Sequence, residues 1–235
     1  MRKHLKAQGY KIMTDQRSTL VYKAVRPDLK EIIPLTGPIG ELSSLRGRGP
    51  LRMIEPDLVV RPLRHGGVFR KLTGRNFISP ARSYRELAIS TYLRKNSVLT
   101  PEIMAIRHVR SGLFYHITVI SQMVPDSIDL LEFLETRGND FSAIFFDVGS
   151  LVRSVHYLDV FHADLHIKNI LLDAKMKPWI LDLDKARRLP YLPQAARQLN
   201  TRRFFRSCRK WQAKDRISLP ADWQAQFIQG YKQQP

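Results

Sequence analysis

A single cysteine, Cys208, is all the thiol that this 235-residue chain carries. An internal disulfide is therefore impossible, and zinc-finger spacing is excluded with it. A reduced, cytosolic setting is the reading that follows. No run approaches the roughly 20 apolar residues that a membrane-spanning helix needs. The start, MRKHLKAQGYK, is basic but has no apolar stretch behind it, so a secretory signal peptide is not expected. An RNP-type aromatic motif is missing too, as are internal repeats and low-complexity tracts. Acidic residues are scarce: 21 Asp and Glu stand against 39 Lys and Arg, a net charge of +18. So basic a chain is drawn to something anionic, whether nucleic acid, a nucleotide or a membrane surface. What remains is ordinary for a soluble globular protein, with 43% hydrophobic and 26% charged residues, enough to bury a real core.

The residues that are present divide the chain into two differently patterned parts. Residues 1–35 are polar and basic, and read as an N-terminal extension. From Ile39 to Leu63, short apolar stretches punctuated by glycine predict β-hairpins, with a strand at Leu58 to Leu63. Ser79-Pro80 opens a helix that runs to about Lys95 and has Tyr84, Leu87, Ala88 and Leu93 on its apolar side. His116 to Met123 is rich in β-branched residues and predicts a strand, which Val124-Pro125-Asp126 breaks. The following part is mainly helical. A short helix is expected over Asp129–Thr136 and a clear one over Phe141–Leu158, where Ile144, Phe145, Val148, Leu151, Val152 and Val155 recur at helical spacing. Ile170 to Leu172 and Trp179 to Leu181 read as a hairpin, and a basic helix is expected from about Gln194 to Ala213. The fold class is α+β: a β-rich lobe with one long helix (36–124), then a reduced, mainly helical lobe (125–235), with a cleft between them.

The chemistry sits just before that hairpin. His162-Ala163-Asp164-Leu165-His166-Ile167-Lys168-Asn169 fits the kinase pattern H-x-D-x-x-x-x-N, and Asp182 ends the second strand of the hairpin. Phosphoryl transfer is mostly positioning and charge neutralisation. One carboxylate must stand by the attacking hydroxyl, and Asp164 is that candidate. A second must hold Mg²⁺ against the phosphates, which Asp182 would do, with the amide oxygen of Asn169 completing the metal set. Asx residues that merely cap turns are the bland alternative. H-x-D alone recurs by chance; the loop, strand, turn, strand and final Asp together are far more specific.

Those residues, with Ile180-Leu181-Asp182-Leu183-Asp184-Lys185, resemble the lipopolysaccharide kinase family of the protein-kinase-like superfamily, and within it the kinases of 3-deoxy-D-manno-octulosonic acid (Kdo). Gly47-Arg48-Gly49, Arg64-His65-Gly66-Gly67, Tyr84-Arg85-Glu86-Leu87 and Arg202-Arg203-Phe204-Phe205-Arg206-Ser207 extend the likeness over about residues 40–230. The resemblance implies a bilobal kinase-like fold, with ATP and Mg²⁺ as cofactors. Gly47 and Gly49 would form a reduced glycine loop over the nucleotide, or else an ordinary hairpin turn. Val59-Val60-Arg61 stands where V-A-I-K would, so Arg61 becomes the candidate phosphate cation and Glu86 its partner; a solvated strand charge is the alternative for Arg61. Asp184 stands where protein kinases carry glycine and would serve as an extra acid near the metal or as a local hydrogen-bond acceptor. His162 would be structural. His166 would lie near the transferred group or be a plain surface histidine.

The A-P-E element of protein kinases is absent, and the chain after Asp182 is short for a peptide-binding lobe. A small-molecule or glycolipid acceptor is therefore expected. From Lys185 to Lys214 there are ten Lys or Arg and no Asp or Glu, with Phe204, Phe205, Cys208 and Trp211 among them. Such a stretch suits an anionic membrane surface, or a core-facing helix with one solvated side. The leading expectation is phosphorylation of a Kdo-bearing glycolipid by a peripheral enzyme at the cytoplasmic face of the bacterial inner membrane. A heptose or an aminoglycoside-like molecule is the alternative acceptor. A non-catalytic nucleic-acid-binding protein comes third, and the intact Asp164, Asn169 and Asp182 argue against it.

Overall fold

The computed structural model describes residues 2–39, 43–44, 52–54, 56–64, 74–137 and 142–233. Gly47, Gly49, the segment 65–67 and Lys71 lie outside them. The chain forms two compact units, one of residues 1–87 and 102–123 and the other of residues 88–101 and 124–235.

The first unit is built on a seven-stranded antiparallel sheet in the order β1-β2-β6-β7-β5-β4-β3. Its strands are β1 (Tyr10–Thr14), β2 (Ser18–Lys23), β3 (Ser43–Ser44), β4 (Arg52–Ile54), β5 (Leu58–Pro62), β6 (Ile103–Ser111) and β7 (Phe114–Gln122). Residues 10–23, expected to belong to an extension ahead of the lobe, are instead two strands of the sheet, and β2 pairs with β6 from Ser18–Val109 to Tyr22–Ala105. The signal was short: Leu20, Val21 and Tyr22 are consecutive and all buried, a three-residue apolar run without alternation in a stretch otherwise polar and basic. The turn between β1 and β2 is closed by Asp15, whose Oδ1 accepts the backbone N–H groups of Arg17 (2.7 Å) and Ser18 (2.6 Å). The sheet buries one apolar cluster on each face, Leu20, Leu58, Val60 and Ile120 in one and Val21, Leu63, Ile106 and Val119 in the other. Period-two alternation explains why neighbouring residues fall into different clusters. The helix Ala81–Lys95 begins in this unit, two residues after the expected Ser79, and its residues from Ala88 onward group with the second unit.

The second unit is mainly helical: Leu130–Arg137, then α5 (Ser142–Tyr157), α6 (Gln194–Gln212) and α7 (Trp223–Lys232), taking Arg2–Ala7, Leu29–Ile32, Ala81–Lys95 and Leu130–Arg137 as α1 to α4. Phe145, Val148, Val152 and Val155 of α5 enter the core with Phe204 and Cys208 of α6 and Phe227 of α7. Helices α5 and α7 cross where Gly149 meets Gly230. A Cβ on Gly149 would collide with the carbonyl of Phe227, and one on Gly230 with that of Phe146. The short β8 (Ile128–Asp129) joins the hairpin, which is present as β10 (Ile170–Leu172) and β11 (Pro178–Ile180), while β9 (Val160–Phe161) pairs with Arg187–Arg188. The hairpin turn is tied by Asp173, which accepts Lys175 N–H and Lys177 N–H at 2.9 Å and the Trp179 indole N–H at 3.0 Å.

Candidate active site

The hairpin register explains how distant residues meet. Ile170 pairs with Ile180, and Leu181 N–H donates to Asn169 O at 2.9 Å. Asn169 therefore faces Leu181, and Asp182 is the next residue on. Asp182 takes left-handed backbone angles (φ 57°, ψ 62°), which turn the chain out of β11 into the short helical turn Leu183–Lys185. Asn169 is buried, and its Nδ2 donates to the backbone carbonyl of Asp164 at 2.9 Å. That bond holds the loop shut between its two polar residues and orients the amide so that Oδ1 is the atom left for another partner.

His162 builds the floor. It is buried, its Nε2–H donates to Leu181 O at 2.8 Å, and its Nδ1 accepts the Asp164 N–H at 3.3 Å. Burial pushes its pKa down, against the opposing pull of the Leu181 carbonyl and the carboxylates of Asp182 and Asp164. A neutral imidazole with its proton on Nε2 satisfies both contacts. His162 is thus a brace between the loop and β11, as expected.

Asn200 on α6 carries the loop from the other side. Its Oδ1 accepts the His162 N–H at 3.1 Å, its Nδ2 donates to His162 O at 2.9 Å, and its Oδ1 also lies 3.1 Å from His156 Nε2. His156 Nδ1 in turn accepts the Tyr231 hydroxyl at 2.7 Å. Burial pushes the His156 pKa down to about 4. Asn200, His156 and Tyr231 escaped the sequence reading. The available signal was an Asn at helical spacing with Phe204 and Cys208, on the apolar side of a helix otherwise known for its charge.

Around Asp164 the charge is mostly positive. Arg203 Nη1 donates to Ala163 O and stands 3.5 Å from Asp164 Oδ1. His166 Nε2 lies 4.0 Å from Asp164 Oδ2, and burial lowers its pKa while the Asp164 carboxylate raises it. Ser207 Oγ receives the Ile167 N–H at 3.0 Å and donates to Phe204 O at 2.7 Å, which docks the loop onto α6. Asp184 is buried within the turn after Asp182. Asp164, Asn169 and Asp182 are therefore brought to one end of one hairpin, within the second unit. Carboxylate and amide oxygens are the hard donors that Mg²⁺ prefers, so the pair Asn169 and Asp182 fits such an ion.

In the first unit the structure brings Arg61 and Glu86 together as an ion pair between β5 and the helix Ala81–Lys95. Glu86 is buried, whereas the Arg61 side chain keeps about a quarter of its surface exposed. In the same unit, His108 Nε2 lies 2.8 Å from Ser83 Oγ, whose hydroxyl donates to Pro80 O at 2.8 Å. Burial pushes the His108 pKa down to about 4. Gly47 and Gly49 fall outside the described residues.

The model of the lipopolysaccharide kinase (Kdo/WaaP) family matches residues 43–231. The 3-deoxy-D-manno-octulosonic acid kinase of Vibrio vulnificus (strain YJ016) is 31% identical over 201 residues, which cover 82% of this chain and 84% of that protein. The enzyme of the same name from Photobacterium damsela subsp. piscicida is 32% identical over 78% of this chain and 79% of its own. That of Stenotrophomonas maltophilia (strain K279a) is 28% identical over 72% and 68%. With the kinase loop and its metal-competent pair in place, and a match that spans both units, the chain belongs to the lipopolysaccharide kinase (Kdo/WaaP) family.

Proposed function

We propose that the chain transfers the γ-phosphoryl group of ATP to a hydroxyl of a Kdo residue on a lipid A precursor, with Asp164 as the base. The observation that carries this reading is the hairpin end, where Asn169 and Asp182 stand beside each other and the Asn169 amide braces the backbone of Asp164. Asp164 would orient the acceptor hydroxyl and take its proton as the new bond to phosphorus forms. Arg203 and a neutral His166 would hold the carboxylate in place. Asn169 Oδ1 and the Asp182 carboxylate would hold Mg²⁺, which supplies charge neutralisation across the β- and γ-phosphates. Arg61, fixed by Glu86, would hold the nucleotide phosphates. The acceptor is assigned from the names of the relatives, and the motif alone would also serve a core heptose.

The same reading places the enzyme at the cytoplasmic face of the bacterial inner membrane as a peripheral protein. No helix among the described residues is long and apolar enough to cross a membrane. The net charge of +18, with Lys185 and Arg187 exposed, supports attraction to anionic lipid. The decisive assay is transfer from labelled ATP to a panel of Kdo-bearing lipids, heptose-bearing cores and free sugars. Label in Kdo lipids, dependent on Mg²⁺, is expected. Label confined to heptose-bearing cores would reassign the acceptor.

A further inference from the structure

Helix α6 has three sides with different surroundings. Asn200, Phe204 and Cys208 are buried in the core. Arg202 and Arg209 are exposed. The third side, Arg203, Arg206, Ser207 and Lys210, lines a cavity of about 460 Å³ together with Asp164, His166, Lys168 and Trp211; Arg206 and Lys210 are exposed at its wall, whereas Arg202 and Arg209 are exposed outside it. The spacing of 203, 206 and 210 puts three cations along one helical stripe. The cavity therefore opens directly on the proposed base, and its wall holds four cationic side chains against one carboxylate. Their commitments differ. Arg203 is engaged by Ala163 O and Asp164. Lys168 rests over the Trp211 ring, 4.8 Å from its centroid, which positions its stem while leaving the ammonium its charge. Among the described residues, no carboxylate pairs with Lys168, Arg206 or Lys210. Like charges gathered in one concave wall repel one another, and a bound anion relieves that repulsion.

We propose that Arg206, Lys210 and Lys168 form an oxyanion subsite that grips an acidic group of the acceptor and so presents the neighbouring hydroxyl to Asp164. The inference rests on the kinase reading of Asp164 and deepens it by naming the chemistry of the acceptor's handle. Arg206 offers a planar fork suited to two oxygens of one carboxylate or phosphate, and the two ammonium groups add point charges. Two acceptor groups share that chemistry: the carboxylate of a sugar acid, and a phosphate ester on the lipid. The handle also supplies selection, because an uncharged sugar would leave the cations without an anion.

The test uses the full chain with Arg206→Ala, Lys210→Ala and the double variant, and with Arg202→Ala/Arg209→Ala as a charge-matched control outside the cavity lining. Acceptor KM is expected to rise about tenfold in each single variant and further in the double, since one charge-assisted hydrogen bond is worth about that factor. ATP KM and the control variant should stay within about twofold of wild type, a span well inside one such bond. A second set of arms compares the Kdo-lipid acceptor with one whose sugar carboxyl is reduced to an alcohol, and with one stripped of its lipid phosphates. The handle is the group whose removal abolishes the difference between wild type and the double variant. Binding of free Kdo and of inorganic phosphate, measured by calorimetry without turnover, provides an independent readout. If wild type transfers nothing to Kdo lipids yet loses anion binding in the double variant, the acceptor assignment fails and the subsite stands. Unchanged acceptor KM and anion affinity in the double variant, an equal loss in the control, or a matching rise in ATP KM would each overturn the subsite.

Discussion

The catalytic loop of the second unit and the Arg61–Glu86 pair of the first hold charged groups in opposite ways. The loop is pinned through its backbone. His162 N–H, His162 O, Asp164 N–H, Asp164 O, Ile167 N–H and Asn169 O all have named partners, supplied by Asn200, His162, Asn169, Ser207 and Leu181. The Asp164 carboxylate, with Arg203 and His166 beside it, lines a cavity. The Arg61–Glu86 pair joins side chain to side chain, from a strand to a helix, with the arginine partly in solvent. Backbone anchoring fixes geometry at small entropic cost, because the ordered groups are already part of the fold; an ion pair must order a long side chain as well. The difference teaches that the loop is built for placement and the pair for charge.

The strongest way to break that comparison is to remove charge from the loop without touching its anchors. Asp182→Asn should abolish turnover at millimolar Mg²⁺, and Asp164→Asn should lower single-turnover transfer by roughly a hundredfold or more. ATP affinity should survive in Asp164→Asn, and both variants should melt within a few degrees of wild type. An Asp164→Asn protein that transfers at near wild-type rate would remove Asp164 as the base.

Removing an anchor should do the reverse. Asn200→Leu leaves the His162 N–H, the His162 carbonyl and the His156 Nε2–H without their partner in a fully buried place. Each such group costs roughly 1–3 kcal/mol, so a stability loss of about 3 kcal/mol or more is expected in urea denaturation, with acceptor transfer falling in parallel. Equal stability in the variant would mean that the loop stands without α6.

In the first unit, Arg61→Ala should raise ATP KM or lower kcat by roughly tenfold, the worth of one charge-assisted contact, and Glu86→Ala should do so less severely. A silent Arg61→Ala alongside an essential Arg64 or Lys71 would shift the phosphate grip to another cation. The mildest effect is a pH dependence that both units share. His108 and His156 have folded pKa values depressed to about 4 from an ordinary 6.5. Below about pH 6.5 the unfolded chain binds protons that the folded chain refuses, so stability falls as pH drops from 6.5 toward 4 and is regained on raising it. A loss on the order of 1 kcal/mol per histidine between pH 7 and 5 is expected. His156→Gln, measured by calorimetric melting, should flatten the acid limb.

How much of this was legible in the sequence depended on whether the signal was local. Asp164, Asn169 and Asp182 sit in a short motif whose spacing implies a loop and a hairpin, and the hairpin is there. The helices at 81–95 and 142–157 advertised themselves by their apolar positions, and the one at 194–212 by its cations and aromatics. The strands β1, β2 and β6 did not: Lys11, Lys23, Arg107 and Arg110 give them a basic, polar look, and the pairing that joins β2 to β6 links residues more than 80 positions apart. Asn200 and Tyr231 were invisible for a related reason: a polar residue's burial is set by what packs on it, and those partners come from other helices.

The bond from Tyr231 to His156 spans 75 residues of sequence, and it underlies the whole chain of contacts that ends at Asp164. During synthesis at ~5–20 residues per second, His156 is made roughly 4–15 seconds before its partner. The loop motif leaves the ribosome complete in its residues but without the helices that brace it. The loop gains its Asn200 bonds only once α6 has been made, and His156 gains Tyr231 only once α7 has been made.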